Sequence, residues 1–341
     1  LAKQNFKKTP VIHFARVPEF LREGREVDDD RGESGRIVIG ADNEKVRERI
    51  QALFEPARKN PNHPRKEVPI VLTDSRSAAL VKYASNGYRG MKISFVNFIG
   101  WLTEALGLDV NEIADAIGED ERIIRSFLNC GLGFGGSCFP KDFAAFVQIA
   151  RRGSVPQGLL IDALSVNEFQ WRHFLTQIRE ELHGVNDKNI VILGGAFKPD
   201  TSDVREARSI LLIRELLKRG AQIKVFDPKA ALDLAEVFEE DTGIEYFSRP
   251  EELHEIMTDA AAIVLVTEWD LFKKLDFSKL KSEFEKKGKP LPYVFDGRNI
   301  WDPKYLKTLG FSYLGAGRSG KAGTMSGVER KEFTGHVREL F

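Results

Sequence analysis

The chain is poor in cysteine. Two of its 341 residues, Cys130 and Cys138, carry thiols, which argues for a reducing compartment such as the cytoplasm and against a disulfide framework. Long apolar runs are missing too. Nothing approaches the roughly 18 residues that a membrane-spanning helix needs, and the opening stretch LAKQNFKKTPVIHF has no secretory apolar region. Charge of one sign is not in excess: 51 basic side chains face 51 acidic ones, so no global field recruits nucleic acid or an anionic membrane. The chain begins with leucine rather than methionine, as a fragment or a processed product would. An apolar content of 42% with 30% charge is that of a globular protein, and the length suits about two domains.

What is present is concentrated in GLGFGGSCFPKD, residues 131–142. Gly131, Gly133, Gly135 and Gly136 mark a backbone that turns tightly and approaches something closely. Cys138 at the end of such a loop is placed as an accessible nucleophile, or else it is a small packing thiol. A helical pattern, DFAAFVQIARR, starts at Asp142 and puts Cys138 near a helix N-terminus. The stretch also spells G-x-G-x-x-G. The dinucleotide reading fails, because that fingerprint follows a strand and the preceding ERIIRSFLNC reads as helical.

In chain order, residues 1–73 read as strand and loop with one helix. VIHFA, RIVIGA and VPIVLTD are strand candidates, EKVRERIQALF is an amphipathic helix and KNPNHPRKE a polar surface loop. Glu19 and Glu23 lie four apart in PEFLREG, a spacing that suits paired acids and equally a solvated pair. Residues 74–183 read as all helical. Asp74 or Ser75 caps a long helix so rich in apolar residues that it should be buried on most sides. DVNEIADAIG forms a short helix, and a long one runs over 156–182. Lys82 and Asn86, four apart, share a face of the first long helix, where the lysine can equally snorkel to the surface. Residues 184–318 alternate strands (NIVILGGA, AQIKVFDP, AAAIVLVTEW, PYVFDGRN) with helices such as SILLIRELLKRG, the pattern of a parallel sheet covered on both faces. Asp227 ends the second of these strands, which is Rossmann-like. The turn GGAFKPDTSDVRE lacks the glycine fingerprint and carries Lys198 and Arg205, two cations suited to phosphates or simply rimming a turn. Residues 319–341 have little apolar content and read as a mobile tail.

GLGFGGSCFPKD closely resembles the cysteine loop of the UDP-glucose/GDP-mannose dehydrogenase family, departing at Leu132, where a proline is usual. PEFLREG with RIVIG, the K-x-x-x-N of Lys82 and Asn86, AFKPDTSDVRE, TEW and DGRN resemble further segments of that family, over about residues 18–317. Val17, Phe98 and Ile124 depart from it, where asparagine, glutamate and glycine are usual. The resemblance implies an α/β protein: the remnant of an N-terminal Rossmann-type domain, a central helical dimerisation region and a C-terminal Rossmann-like parallel-sheet domain. It implies NAD as cofactor, a nucleotide sugar as substrate, a homodimer through the central helices and no metal. Cys138 would be the nucleophile, and Lys82 and Asn86 would stabilise oxyanions. Asp142 would take the first proton with Lys82 and a water, and Glu19 would serve thioester hydrolysis. The backbone of Phe20 and Leu21, with Phe127, Phe134, Gly135, Phe139, Phe197, Lys198 and Arg298, would meet the sugar nucleotide. Arg122 would reach that of a neighbouring subunit. Glu23, Lys141 and Arg205 would lie towards the cofactor.

The implied reaction is a four-electron oxidation of a sugar C6 alcohol to a carboxylate through a thiohemiacetal and a thioester. Phe134, Phe139 and the FPKD ending favour the UDP-glucose branch, with GDP-mannose the alternative. From another class, a non-catalytic sugar-nucleotide-binding or dimerisation module is the competing reading. The family's dinucleotide fingerprint and an early catalytic threonine lie upstream of PEFLREG and are not in these residues. The expectation is therefore an active parent dehydrogenase, with this chain alone binding NAD poorly or not at all and being inactive.

Overall fold

The computed structural model describes residues 12–20, 35–59 and 67–318. They fall into two units, Leu1–Asn86 and Gly87–Phe341. In the first, β1 (Ala15–Arg16) runs antiparallel to β2 (Ile37–Ala41), and β2 runs parallel to β3 (Ile70–Thr73), with Ile37 opposite Ile70 and Gly40 opposite Thr73. Of the strand expected over VIHFA, Ile12, His13 and Phe14 lie outside any strand, and β1 holds Ala15 with Arg16, both exposed. Helix α1 (Glu44–Arg58) is capped by Asn43, whose side-chain oxygen accepts from the Val46 amide at 3.2 Å. Its Ile50, Phe54 and Ala57 pack on Ile37, Ile39 and Val68 to make a small core. The tail from residue 319 and most of the polar loop before Glu67 lie outside the described residues.

Helix α2 (Ser75–Leu106) starts in the first unit and ends in the second. Asp74 caps it, accepting from the amides of Arg76 and Ser77 at 2.9 Å. The helix is not buried on most sides in the single chain. Tyr88, Phe95, Phe98, Leu102 and Leu106 are exposed. Their spacing sets them along one stripe, while buried Gly90, Asn97 and Glu104 line the opposite face.

In the second unit α3 (Val110–Gly118) is capped by Asp109, as DVNEIADAIG suggests. The next stretch is a correction: residues 121–130 form turns rather than a helix. Ile124 and Phe127 sit at φ 62° and 65°, which no right-handed helix accommodates. The Lys92 ammonium donates to the carbonyls of Ile123 (2.9 Å) and Ile124 (2.7 Å) and holds that path. Helix α4 (Phe139–Arg152) begins three residues before Asp142, with Pro140 in its first turn, where its missing N–H costs nothing. Helix α5 (Gly158–Glu181) matches the long helix expected.

The sheet of the second unit is built from β4 (Asn189–Leu193), β5 (Gln222–Phe226), β6 (Ile244–Phe247), β7 (Ala262–Leu265), β8 (Tyr293–Asp296) and β9 (Tyr313–Gly315). All pairings are parallel, in the order β6-β5-β4-β7-β8-β9. The connections are α6 (Arg208–Leu217), α7 (Ala231–Val237), α8 (Glu252–Met257), α9 (Asp270–Lys273), α10 (Phe277–Lys286) and α11 (Pro303–Leu309). β7 is buried along its whole length and β4 from Ile190 on, as strands covered on both faces must be. Strand order reverses between β4 and β7, so the crevice for a ligand opens beyond their carboxyl ends, at residues 194–201 and 266–269.

Candidate active site

The cysteine loop is held by buried side-chain amides from two helices. Asn97 of α2 accepts from the Gly131 amide at 3.0 Å, and Gln170 of α5 donates to the Gly131 carbonyl at 2.8 Å. Asn167 of α5 pairs with both backbone groups of Phe134, accepting at 2.6 Å and donating at 3.1 Å. On its other side the loop lies against the sheet domain. The Gly136 amide donates to the Arg205 carbonyl at 3.0 Å. A Cβ at Gly135 would stand 2.1 Å from the Glu206 carbonyl oxygen, so only glycine permits the approach. At Gly136, φ is +81° and a Cβ would run into the Phe197 ring.

Cys138 emerges from this loop exposed, as the N-cap of α4, at the positive end of that helix dipole. The Ser137 hydroxyl lies 3.7 Å from its sulfur. Cys130 is the opposite case. It is fully buried, and burial, reinforced by the charge of Glu104, pushes its thiol well above the ordinary range. The two thiols therefore separate into one that reagents can reach and one that packs.

Around the loop the structure gathers most of the expected residues of the second unit. Asp142 is buried, one turn along α4 from Cys138, and Lys141 beside it is exposed. Phe134 stacks on Phe143 with ring centroids 5.3 Å apart and meets Phe139 edge-on at 5.6 Å. Phe127 continues the run, 6.5 Å from Phe139. The Phe197 ring abuts Gly136, and the Lys198 ammonium stands 5.6 Å from that ring. Arg298 is half-buried against Gly131 and bonds Glu268. Burial pushes the Glu268 carboxyl up, but the charge and the hydrogen bond of Arg298, joined by Glu268's own backbone amide and the Lys273 charge, together outweigh it and leave the carboxyl below its ordinary value. Arg205 is exposed and bonded to Asp203 at 2.8 Å. Arg122, 84% exposed, is held by Asp120 in the turn after α3.

The first unit holds the rest. Lys82 is half-buried and Asn86 buried, on one face of α2. Glu19 is exposed. Phe20 lies 4.1 Å under the guanidinium of Arg36, which also donates to the Ser85 hydroxyl at 2.6 Å. Leu21 and Glu23 lie outside the described residues.

Several residues escaped the sequence reading. Arg89 stands over the rings of Phe127 (5.5 Å) and Phe139 (5.8 Å), and its signal was its spacing, three residues beyond Asn86 on the same helix. Asn97, Asn167, Gln170 and Arg208 left no local signal. Asp227, the acid that ends β5, has both carboxylate oxygens engaged within the protein. Its Oδ2 accepts from the amides of Gly195 (2.7 Å) and Ala196 (3.0 Å) and from Trp269 Nε1 (3.0 Å). Its Oδ1 accepts from the amides of Lys229 (2.9 Å) and Ala230 (2.7 Å). With both oxygens so occupied, the carboxylate organises the crevice instead of reading a ligand hydroxyl. Among the described residues no group of His, Cys, Asp and Glu side chains suits a metal ion, and no helix is long and apolar enough to cross a membrane.

Comparison with known proteins bears on this geometry. Residues 76–169 match the central domain of the UDP-glucose/GDP-mannose dehydrogenase family, and residues 191–303 match that family's UDP binding domain. The chain is 36% identical over 318 residues to UDP-glucose 6-dehydrogenase YwqF of Bacillus subtilis, covering 93% of this chain and 68% of that one. It is 35% identical over 307 residues to UDP-glucose 6-dehydrogenase TuaD of the same organism, covering 90% and 62%. The solved UDP-glucose dehydrogenase of the archaeon Pyrobaculum islandicum superposes with a TM-score of 0.77 at 32% identity, over 90% of this chain and 64% of that one. The chain thus spans 62% of the length of TuaD and 68% of that of YwqF.

Proposed function

The chain belongs to the UDP-glucose/GDP-mannose dehydrogenase family, and from that premise we propose that the whole protein oxidises the C6 alcohol of UDP-glucose to a carboxylate, with NAD as cofactor. One observation carries the reading: an exposed thiol, Cys138, stands on a loop seated against the turn that bears Phe197 and Lys198. The sheet domain then takes the nucleotide, with Lys198 and Arg298 as its cations. Two exposed cations of the second unit, Lys141 and Arg205, suit the pyrophosphate of NAD. When bound, NAD supplies the acceptor for the two hydrides that leave C6 in the change from alcohol to acid.

The rest of the chemistry belongs to this chain. Asp142, with Lys82 and a water, takes the proton of the alcohol. Cys138 Sγ bonds the C6 carbon of the aldehyde, and the oxyanion so formed is met by Lys82 and Asn86 before it is protonated. At the thioester level Glu19 deprotonates water. The water oxygen bonds C6, the C–S bond breaks, and the carboxylate leaves with the thiolate restored. The whole protein is proposed to work as a homodimer through α2, whose apolar stripe supports that reading.

The test is reduction of NAD by the whole protein with UDP-glucose and with GDP-mannose, beside Cys138→Ala. The expected result is two NADH per UDP-glucose, abolished in the variant. Turnover of GDP-mannose alone moves the substrate and keeps the mechanism. Tight nucleotide-sugar binding with no NADH from either sugar overturns the enzyme reading in favour of a binding module.

A further inference from the structure

One buried cation beside the cysteine loop has no part in the reaction above. Arg208 is the first residue of α6 and is 9% exposed. An arginine is costly there on two counts. Burial penalises its charge, and the N-terminus of a helix already carries positive potential. Burial pushes its guanidinium below the ordinary value, against the opposing charges of Glu168 and Glu206. What the side chain gains is specific. Its Nε donates to the Phe134 carbonyl at 3.0 Å, and its Nη1 donates to Glu168 Oε2 at 3.3 Å.

The Phe134 carbonyl is thus gripped from both sides, by Asn167 of α5 at 3.1 Å and by Arg208 of α6. Two residues on, Gly136 is bonded to Arg205, and two further stands Cys138. A chain this short cannot absorb a shift of its anchor without passing it on. Asn97, Asn167 and Gln170 hold the loop to the helices, whereas Arg208 reaches it from the sheet domain with a charge-assisted bond. Glu168 does not depend on Arg208, since its Oε1 also accepts from Trp171 Nε1 at 3.1 Å and Arg172 Nη2 at 3.0 Å.

The geometry points to Arg208 as a positioning residue: by bonding the Phe134 carbonyl it fixes the cysteine loop against the 196–206 turn and so sets where the Cys138 sulfur stands. The inference rests on Cys138 being the nucleophile. It adds a residue that touches neither sulfur nor sugar.

The experiment uses the whole protein with Arg208→Met, which keeps the stem and removes the cation, and Arg208→Lys, which keeps the charge and loses the planar fork. Alkylation of Cys138 by iodoacetamide is followed over a pH series, with Cys138→Ala as the blank. Affinity for UDP is measured by calorimetry. In Arg208→Met the alkylation rate is expected to change by about tenfold with a displaced pH profile, the scale of one lost charge-assisted hydrogen bond. The kcat for nucleotide-sugar oxidation should fall by about as much, while UDP affinity stays within about twofold. Arg208→Lys should lie between. A folded Arg208→Met with the wild-type alkylation rate and profile overturns the inference. So does a joint loss of kcat and UDP affinity with alkylation unchanged, which would mark a purely structural residue. Should Arg208→Met not fold, wild-type alkylation in Arg208→Lys overturns it equally. Absence of NADH formation by the wild type sinks the reaction proposed above, while the alkylation comparison still decides on Arg208.

Discussion

At the scale of single residues, the cysteine loop was legible because its chemistry is local: glycines and a thiol within a few positions already imply close approach and reactivity. Its supports were not legible, because they are brought in from far along the chain. Asn167 lies 33 residues from Phe134, and Arg208 lies 74 from it. Nothing in VNEFQ or REARS predicts that meeting. Ile124 is the clearest local conflict. A β-branched residue at φ 62° is strained, in a backbone region that glycine enters freely. Ile124→Gly is expected to raise stability by about 1 kcal/mol, the left-handed penalty less glycine's extra unfolded-state entropy. The Lys92 bond to this residue goes to its carbonyl and survives the change. A urea midpoint that falls in Ile124→Gly would show that the isoleucine side chain contributes more than its strained backbone costs.

At the scale of elements, helices with a cap and a sustained period were readable, and the stretch 121–130 was not. Ile123, Ile124 and Phe127 have helical spacing, but two left-handed residues and the lysine from α2 turn the backbone out of a helix. A long-range partner thus decided what periodicity alone could not. The start of α2 shows the readable case, and it carries a pH dependence. Hydrogen bonds from the Ser77 hydroxyl and amide pull the Asp74 carboxyl down to about 2. A carboxyl depressed on folding contributes stability above its unfolded value of about 4 and loses it as pH falls towards 2. Asp74→Ala should therefore melt at a lower temperature than wild type at neutral pH, with the gap closing across that acid window. A gap in melting temperature that stays constant down to pH 2 would show that the cap does not act through the ionised carboxylate.

At the scale of the whole molecule, the class of fold was legible because strand–helix alternation is dense after residue 186, and the parallel sheet with its order reversal at β4 and β7 is what that alternation demands. The exposure of α2 in a single chain has a physical reason: apolar count predicts that a helix will be covered, not by what. Tyr88, Phe95, Phe98, Leu102 and Leu106 form a stripe of large side chains that water touches in this chain. Single exposed apolar residues are ordinary, but a continuous line of them along one helix face is not. A second copy supplies the same stripe under a two-fold axis. Two stripes buried together release on the order of 10 kcal/mol, enough to meet the lower estimates of what association costs. The whole protein is therefore expected to sediment as a dimer at micromolar concentration. Leu102→Lys, which puts a charge into each of the paired stripes, should shift it towards monomer while the melting of the sheet domain persists. A wild-type protein that sediments as a monomer, or a Leu102→Lys variant that remains dimeric, would remove α2 from the interface and require another partner for the stripe.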